Sequence, residues 1–389
     1  MKKITEGNFK NKKVLVRCDF NVPISENGEV IDDFRIKKTI TTIDYLLKNN
    51  AKIILMTHLD DPGGKVVDKL RLGPIQDKLF EYLDTSIWKA PDCIGRVVKK
   101  AVEAMQPSEI ILLENLRFHP GEEKNDLQFA KEIASLGDYF INDAFGVCHR
   151  NHASVALIPK YLESFSGFLL QEEISVLEKV LLKPKRPLTL VAGGAKISTK
   201  IKFIENFLSI ADNIILGGAI ANTVCMAKGI KVGRSLVEKE ILNTIKQKWD
   251  LTNTKLHLPL DVIVAKNHNI RSPIGLRGVG NVGNDEIILD IGPDTIQLFK
   301  DIIKDSATVI WNGPLGFIED KKFAKGTEEI ARFLSTLSNF RIVGGGETVS
   351  LVINLGLEDK FNFISTGGGA MLDFLSGEKL PGLEALGYY

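Results

Sequence analysis

The sequence predicts an α/β protein made of two doubly wound domains. Three observations carry this expectation. Short, near-continuous apolar runs recur along the chain, as parallel strands covered on both faces require. Amphipathic stretches separate them, as helices packed on a sheet require. The chain has 389 residues, more than the roughly 100–200 of an ordinary domain.

The elements follow in order. "VLVRCDF" (14–20) is the first strand. Ile36, Ile40, Ile43 and Leu47 then share one helical face. "KIILMTH" (52–58), "EIILLENLR" (109–117) and "YFINDAF" (139–145) complete the strands of the first half. Leu170, Ile174, Leu177 and Leu181 form a second helical stripe, which ends in the basic, proline-rich "KPKRP". The domain boundary falls there: 1–169 is the first domain, 170–182 a hinge helix and 183–370 the second domain. Strands of the second half are "LTLVAG" (188–193), "NIILGG" (213–218), "ATVIWNG" (307–313), "RIVGGG" (341–346) and "NFISTGGG" (362–369). There is no tandem repeat and no low-complexity segment.

Composition narrows the function. Fifty basic and 49 acidic residues give a net charge of +1, which argues against a global nucleic-acid or membrane footprint. No apolar run reaches the roughly 18 residues of a membrane span. The N-terminus is charged with no apolar stretch behind it, so no signal peptide is expected. Four scattered cysteines with no CxxC pair fit a reducing cytoplasm.

In open α/β sheets, ligands bind beyond the carboxyl ends of the strands. First-half strands end in "DFN", "HLDDP", "RFHPGE" and "DAFGVCHR". These supply Asp19, Asn21, His58, Arg117, His149 and Arg150, and Arg35 opens the first helix. Taken singly, such a residue is most often a surface ion pair. Four strand ends carrying them together predict an anion site. "CHRNH" offers His149 and His152, a weak metal pair without further ligands at zinc spacing.

Second-half strands end in "GGAK", "LGGAI", "NGPLG", "GGGE" and "TGGGA". Glycine lets a backbone approach phosphate closely, and a helix N-terminus adds favourable potential. The alternative is that each run is only a tight strand-to-helix turn. Glu347 follows the glycines of 344–346, where a carboxylate would hold the cation that neutralises phosphate. Lys196 and Lys200 are expected on one face of an opening helix. Asn312 and Glu319 stand by the same strand ends, Glu319 suited to a ribose hydroxyl. No Walker, protein-kinase or GxGxxG signature occurs in its required setting, which weakens a dehydrogenase reading. From the residues alone, a phosphate-handling enzyme, a non-catalytic nucleotide- or anion-binding protein and a dinucleotide-dependent dehydrogenase all remain open.

The blocks "VLVRCDFNVP", "DDFRI", "ILLENLRFHPGEE", "FINDAFGVCHRNHAS", "GGAKISTKI", "LDIGP", "WNGPLGFIE", "GGGETVS" and "STGGGAMLDFLSGEKLPGLEAL" resemble phosphoglycerate kinases, in order and over nearly the whole chain. The resemblance implies two Rossmann-like domains facing across a cleft, with 371–389 packing back on the first. It implies reversible phosphoryl transfer from 1,3-bisphosphoglycerate to ADP, giving 3-phosphoglycerate and ATP, with Mg²⁺, in a cytoplasmic monomer. Asp19, Phe20, Asn21, Arg35, His58, Leu59, Asp60, Asp61, Arg117, His149 and Arg150 would form the triose-phosphate site. Lys196, Lys200, Asn312, Glu319, Gly344, Gly345, Gly346 and Glu347 would hold the nucleotide, with Glu347 on the metal. Arg35, Lys196, Gly345 and Gly368 would act on the moving phosphoryl group, with Gly367 and Gly369 flanking the last as backbone donors.

Two departures stand out. The family's HLGRP reads "HLDDP", so Asp60 replaces glycine and Asp61 replaces a phosphate-holding arginine. The family's GGGD reads GGGE, which lengthens the acidic arm by one methylene. The expectation is a loop that turns both aspartates outward while Arg117 and Arg150 carry the phosphate. A compensating cation, Arg71 or Lys65, is the alternative.

Overall fold

The computed structural model describes residues 1–267 and 274–389. Contacts divide the chain into two units, Met1–Ser175 with Glu378–Tyr389, and Val176–Gly377. The division falls inside one continuous helix, Phe168–Leu182.

The first unit holds six parallel strands: β1 (Lys13–Arg17), β2 (Lys52–Met56), β3 (Ile87–Lys89), β4 (Ile110–Leu112), β5 (Tyr139–Asn142) and β6 (Glu163–Ser166). Their order is β3-β4-β2-β1-β5-β6. Val14, Val16, Ile53, Leu55, Ile110, Leu112 and Ile141 are buried along it, which is why these runs read as continuously apolar. The helix Phe34–Lys48 buries Ile36, Ile43 and Leu46 against this core. Edge strands β3 and β6 are short, and the sequence did not announce them. The run 109–117 yields only three strand residues, because polar groups then take over the backbone. The Asn115 side chain accepts from Arg117 N and opens a 3₁₀ turn, Leu116–Phe118.

The second unit repeats the plan. Its strands are β7 (Leu188–Ala192), β8 (Asn213–Leu216), β9 (Leu256–His257), β10 (Asp261–Ala265), β11 (Ile274–Gly278), β12 (Ile287–Ile291), β13 (Thr308–Asn312), β14 (Phe340–Gly344) and β15 (Phe363–Ile364). Six make a parallel sheet in the order β15-β14-β13-β7-β8-β9. The other three form an antiparallel sheet, β11-β10-β12, absent from the sequence reading. β11 is mostly exposed, so it shows no continuous apolar run.

In each parallel sheet the order reverses beside the first strand. The switch lies between β1 and β5 in the first unit and between β7 and β13 in the second. Loops leaving the carboxyl ends of those pairs part in opposite directions and open a crevice.

The chain ends meet in the first unit. The N-terminal amine donates to Gly387 O at 2.9 Å. Gly382 N donates to Cys148 O at 2.9 Å. The terminal segment of this unit begins at Glu378, later than position 371. The helix Gly369–Leu375 belongs to the second unit, where Asn206 Nδ2 donates to Leu375 O at 2.6 Å.

A Cβ on Gly382 would lie 2.7 Å from Val155 Cγ1 and 3.0 Å from the Cys148 backbone. Gly382→Ala is expected to lift the terminal helix and cost about 1–3 kcal/mol. Denaturant unfolding followed by fluorescence in a Trp249→Phe, Trp311→Phe background, where Trp88 of the first unit is the remaining tryptophan, measures this, and an unchanged midpoint would remove the terminal helix from the stabilising contacts.

Candidate functional site

The carboxyl edge of the first sheet is a cationic cluster. Its centre is Arg17, the last residue of β1, fully buried and overlooked in the sequence. Its guanidinium donates to Ser154 Oγ at 2.8 Å, to Cys18 O and to His58 Nδ1 at 3.3 Å. Buried Glu122 lies 4.0 Å away and accepts from Ser154 N and Oγ at 2.9 and 2.5 Å. A charge inside an apolar strand run was the signal that could have found Arg17.

Because Arg17 only donates, His58 Nδ1 must accept, which leaves the ring proton on Nε2. Burial pushes the His58 pKa well down, and Arg17 and Arg117 add to this. Burial and Arg150 push His149 down to about 4; burial and Arg117 do the same for His152. Three neutral imidazoles therefore stand among arginines.

Arg35 leaves the start of its helix and is held by Asp19 Oδ2 and Asn21 O, both at 3.1 Å. Arg117 donates to Asp60 O at 2.9 Å and pairs with Glu123 at 3.3 Å. Arg150 is exposed, and its side chain makes no hydrogen bond or ion pair among the described residues. Phe20 and Leu59 are buried in the core of the unit, so their side chains are not available to a ligand. Their backbones frame the site instead: Phe20 N donates to Thr57 Oγ1 at 2.9 Å and Leu59 N to Asn115 Oδ1 at 3.2 Å.

Asp60 and Asp61 are exposed. Asp60 has φ +53, the left-handed conformation that a glycine would occupy without strain. Its N–H is fixed to Asn21 Oδ1 at 2.9 Å. Asp61 Oδ1 accepts from Gly63 N at 3.4 Å. Arg71 is already engaged with Asp68 at 2.9 Å and Glu114 at 3.3 Å, so it is no free compensating cation.

In the second unit the glycine runs differ from one another. Gly193 N donates to Asn312 O at 3.0 Å, Gly194 N to Pro314 O at 2.8 Å and Gly218 N to Leu315 O at 2.9 Å. These glycines bring neighbouring loops together and use their own donors in doing so. A Cβ on Gly313 would collide with Gly193 O and Lys200 Nζ. The GGGE run is different. Gly345, with φ +90, caps the helix Gly346–Asn354, whose first N–H groups have no partner within the helix. Gly344 packs on Met371 instead. Gly368 caps the helix Gly369–Leu375, and Gly367 N is taken by Ser365 Oγ at 3.0 Å.

Lys196 and Lys200 are not paired on a helix, because that helix, Ile201–Ile210, starts after both. Lys196 is exposed in the loop. The Lys200 ammonium is drawn inward to Gly193 O at 2.7 Å and Asn312 O at 3.2 Å, at the switch point itself. Burial pushes its pKa down to about 8, against the opposing pull of Glu347. Buried Asn312 Nδ2 has no hydrogen-bond partner and lies against Gly345. Exposed Glu347, in the first turn of the helix, makes no hydrogen bond among the described residues. A free carboxylate beside an orphaned amide and open helix N–H groups suits a phosphate with its cation. Beside them is a cavity of about 490 Å³, lined by Gly194, Gly218, Leu236, Pro314, Leu289 and, at its polar side, Glu319 and Glu347. Leu289 comes from β12, so the missed antiparallel sheet supplies one wall.

A family model described as phosphoglycerate kinase matches residues 4–378. The chain belongs to the phosphoglycerate kinase family. The phosphoglycerate kinase of Moorella thermoacetica is 45% identical over 379 residues, covering 97% of this chain and 96% of that one. A solved phosphoglycerate kinase from Coxiella burnetii is 35% identical, with a TM-score of 0.85, covering 99% of this chain and 98% of its own. That of Pyrococcus horikoshii is 30% identical, with a TM-score of 0.88, covering 100% and 99%. Membership makes the chain a phosphotransferase of glycolysis with a nucleotide substrate. No helix among the described residues is long and apolar enough to cross a membrane.

Asp60 holds a left-handed backbone that glycine adopts without strain. Asp60→Gly is therefore expected to stabilise the first unit by about 0.5–1 kcal/mol, read as a higher denaturant midpoint. A drop would mean that the Asp60 side chain carries a contact of its own.

The depressed histidines set a pH dependence. Folded pKa values of about 4, below the ordinary 6.5, mean that the unfolded chain binds these protons first. No penalty exists above about pH 6.5. Stability falls as pH drops from there through about 4. Unfolding midpoints across this range should flatten when His149 and His152 are both changed to Asn, and an unchanged slope would assign the acid loss elsewhere.

Proposed function

We propose that the chain carries out reversible phosphoryl transfer between 1,3-bisphosphoglycerate and ADP, giving 3-phosphoglycerate and ATP. The observation that carries this reading is a matched pair of switch-point sites. One is built from arginines and neutral imidazoles. The other combines Lys200, an orphaned Asn312 amide and a helix start with no side-chain cap on its first N–H groups.

In this reading Arg117, Arg150, His149 and the Nε2–H of His58 bind the triose phosphate, and Asp19 and Asn21 hold Arg35 against the carboxyl end. Arg150, having no side-chain partner among the described residues, gives up nothing to receive an anion. In the direction of ATP use, a carboxylate oxygen of 3-phosphoglycerate forms a bond to the γ-phosphorus. The bond from that phosphorus to the bridging oxygen breaks, and ADP leaves with the electron pair. The acceptor is already ionised at neutral pH, so no general base is needed. Catalysis rests on position and charge neutralisation. Arg35, Lys196 and the backbone at Gly345 and Gly368 serve the moving group. Lys200 serves the nucleotide phosphates, whose charge would restore its full protonation. Glu347 would hold Mg²⁺, which neutralises phosphate charge when bound. The apolar cavity would take the base and Glu319 the ribose. Bending about the helix Phe168–Leu182 would bring donor and acceptor together and exclude water from the acyl phosphate.

A coupled assay with 3-phosphoglycerate and Mg-ATP tests the reading directly; ATP binding without turnover would replace it with a nucleotide sensor. Arg35→Ala is expected to lower kcat by about 10²–10³-fold, as removal of one transition-state donor does. Arg150→Ala should mainly raise the KM for 3-phosphoglycerate. A pure KM effect from Arg35→Ala would move that residue to ground-state binding.

A further inference from the structure

We propose that Asp92, Cys93 and His119 form a binding site for a soft divalent cation, with Zn²⁺ the best match. One donor atom from each of the three lies within 4.8 Å of the others. It is the one such three-residue grouping among the described residues, and His149 and His152 of the "CHRNH" stretch do not join it. Asp92 and Cys93 follow β3, and His119 follows β4. These strands are paired neighbours, so their loops leave the sheet side by side.

The three groups are already oriented. His119 Nε2 lies 2.6 Å from Asp92 Oδ1. The same oxygen accepts from Cys93 N at 2.6 Å. The His119 ring stacks on Phe129, with centroids 5.3 Å apart, which fixes its plane. Burial leaves one side open to solvent: Cys93 is buried, while His119 and Asp92 are both partly exposed, Asp92 the more so.

Ligand chemistry selects the ion. Thiolate, imidazole and carboxylate together suit zinc, whereas Mg²⁺ prefers an all-oxygen octahedron. Three protein ligands leave a fourth, solvent-facing position for water. On binding, the Cys93 thiol gives its proton to solvent and the thiolate takes the metal. The site is separate from Glu347, which belongs to the other unit. It ties the β3 and β4 loops two residues after Arg117, so occupancy bears on the anion cluster without supplying a ligand to it. The alternative is a hydrogen-bonded trio in which Asp92 accepts from imidazole, amide and thiol, with no affinity for metal.

The test uses the full chain stripped of metal and titrated with Co²⁺, then Zn²⁺. One equivalent of Co²⁺ should produce a thiolate-to-cobalt charge-transfer band. Equimolar Zn²⁺ should displace it, and a large excess of Mg²⁺ should not. Cys93→Ser should abolish the band, although Cys18, Cys148 and Cys225 remain as free thiols. His119→Gln should weaken binding by more than the roughly 10–100-fold that outer-shell partners contribute. Absence of the band in the unaltered protein, its survival in Cys93→Ser, or an unchanged binding constant in His119→Gln would overturn the proposal. If Cys93→Ser fails to fold, His119→Gln, at a partly exposed position, decides the matter by its binding constant.

Discussion

A guanidinium with no exposed surface must have its donors matched, and Arg17 imposes that condition on the first unit. Its partners come from separate parts of the chain: the residue after β1, His58 after β2, and Ser154 with Glu122. Each partner is then committed in turn. Glu122 receives both donors of Ser154, and His58 is fixed as one tautomer. The loops that carry Asp19, Arg117 and Arg150 leave the same sheet edge. The surface arginines can stay available to a ligand because the buried one holds the scaffold.

Lys200 plays a comparable part in the second unit with weaker partners. Two backbone carbonyls, Gly193 O and Asn312 O, receive its ammonium where β7 and β13 diverge. Carbonyls carry no net charge, so burial lowers the Lys200 pKa to about 8. Glycine at 313 is the condition for this approach, since any side chain would occupy the space of the amine. The rest of the loop is locked by Trp311 Nε1 donating to Gly313 O at 2.9 Å and Gly313 N to Thr348 Oγ1 at 2.8 Å. Burial lowers the pKa of both cations; the contrast is that Arg17 has the carboxylates of Glu122 and Asp19 close by, whereas Lys200 is held by carbonyls with Glu347 as its opposing charge.

Much of this was legible in the residues. Continuous apolar runs located the central strands because both faces of β1, β2, β7 and β13 are covered. The same rule failed for β3, β6 and β9, which are short edges, and for the partly exposed antiparallel sheet β11-β10-β12. Polar strand ends and the start of the first helix carry Asp19, Arg35, His58, Arg117 and Arg150, which the fold gathers at one edge of the sheet. They did not reveal that Phe20 and Leu59 point into the core, since alternation along a loop has no fixed period. Glycine runs marked the right edge of the second sheet, yet composition cannot tell a loop that receives phosphate from loops that clasp each other. The expected lysine pair does not form, because i, i+4 spacing brings side chains together only where the backbone is helical, and Lys196 precedes the helix.

The neutral histidines show why a dense cationic site is stable without its ligand. Arg17, Arg35 and Arg117 are all near enough to His58 to oppose its protonation. A fourth positive charge would raise the repulsion further with no anion to offset it. An imidazole that stays neutral still donates one N–H, so His58 adds directionality without adding charge. The same arithmetic explains what an acidic residue at position 61 does. Exposed, with its carboxylate turned to Gly63 N at 3.4 Å, Asp61 lies in higher dielectric than the buried groups. Its field is screened by water and salt, while the arginines act over short, partly buried distances. A negative charge on this loop is therefore compatible with an anion site a few residues away, provided the loop keeps the left-handed turn at Asp60 that directs Asp61 outward.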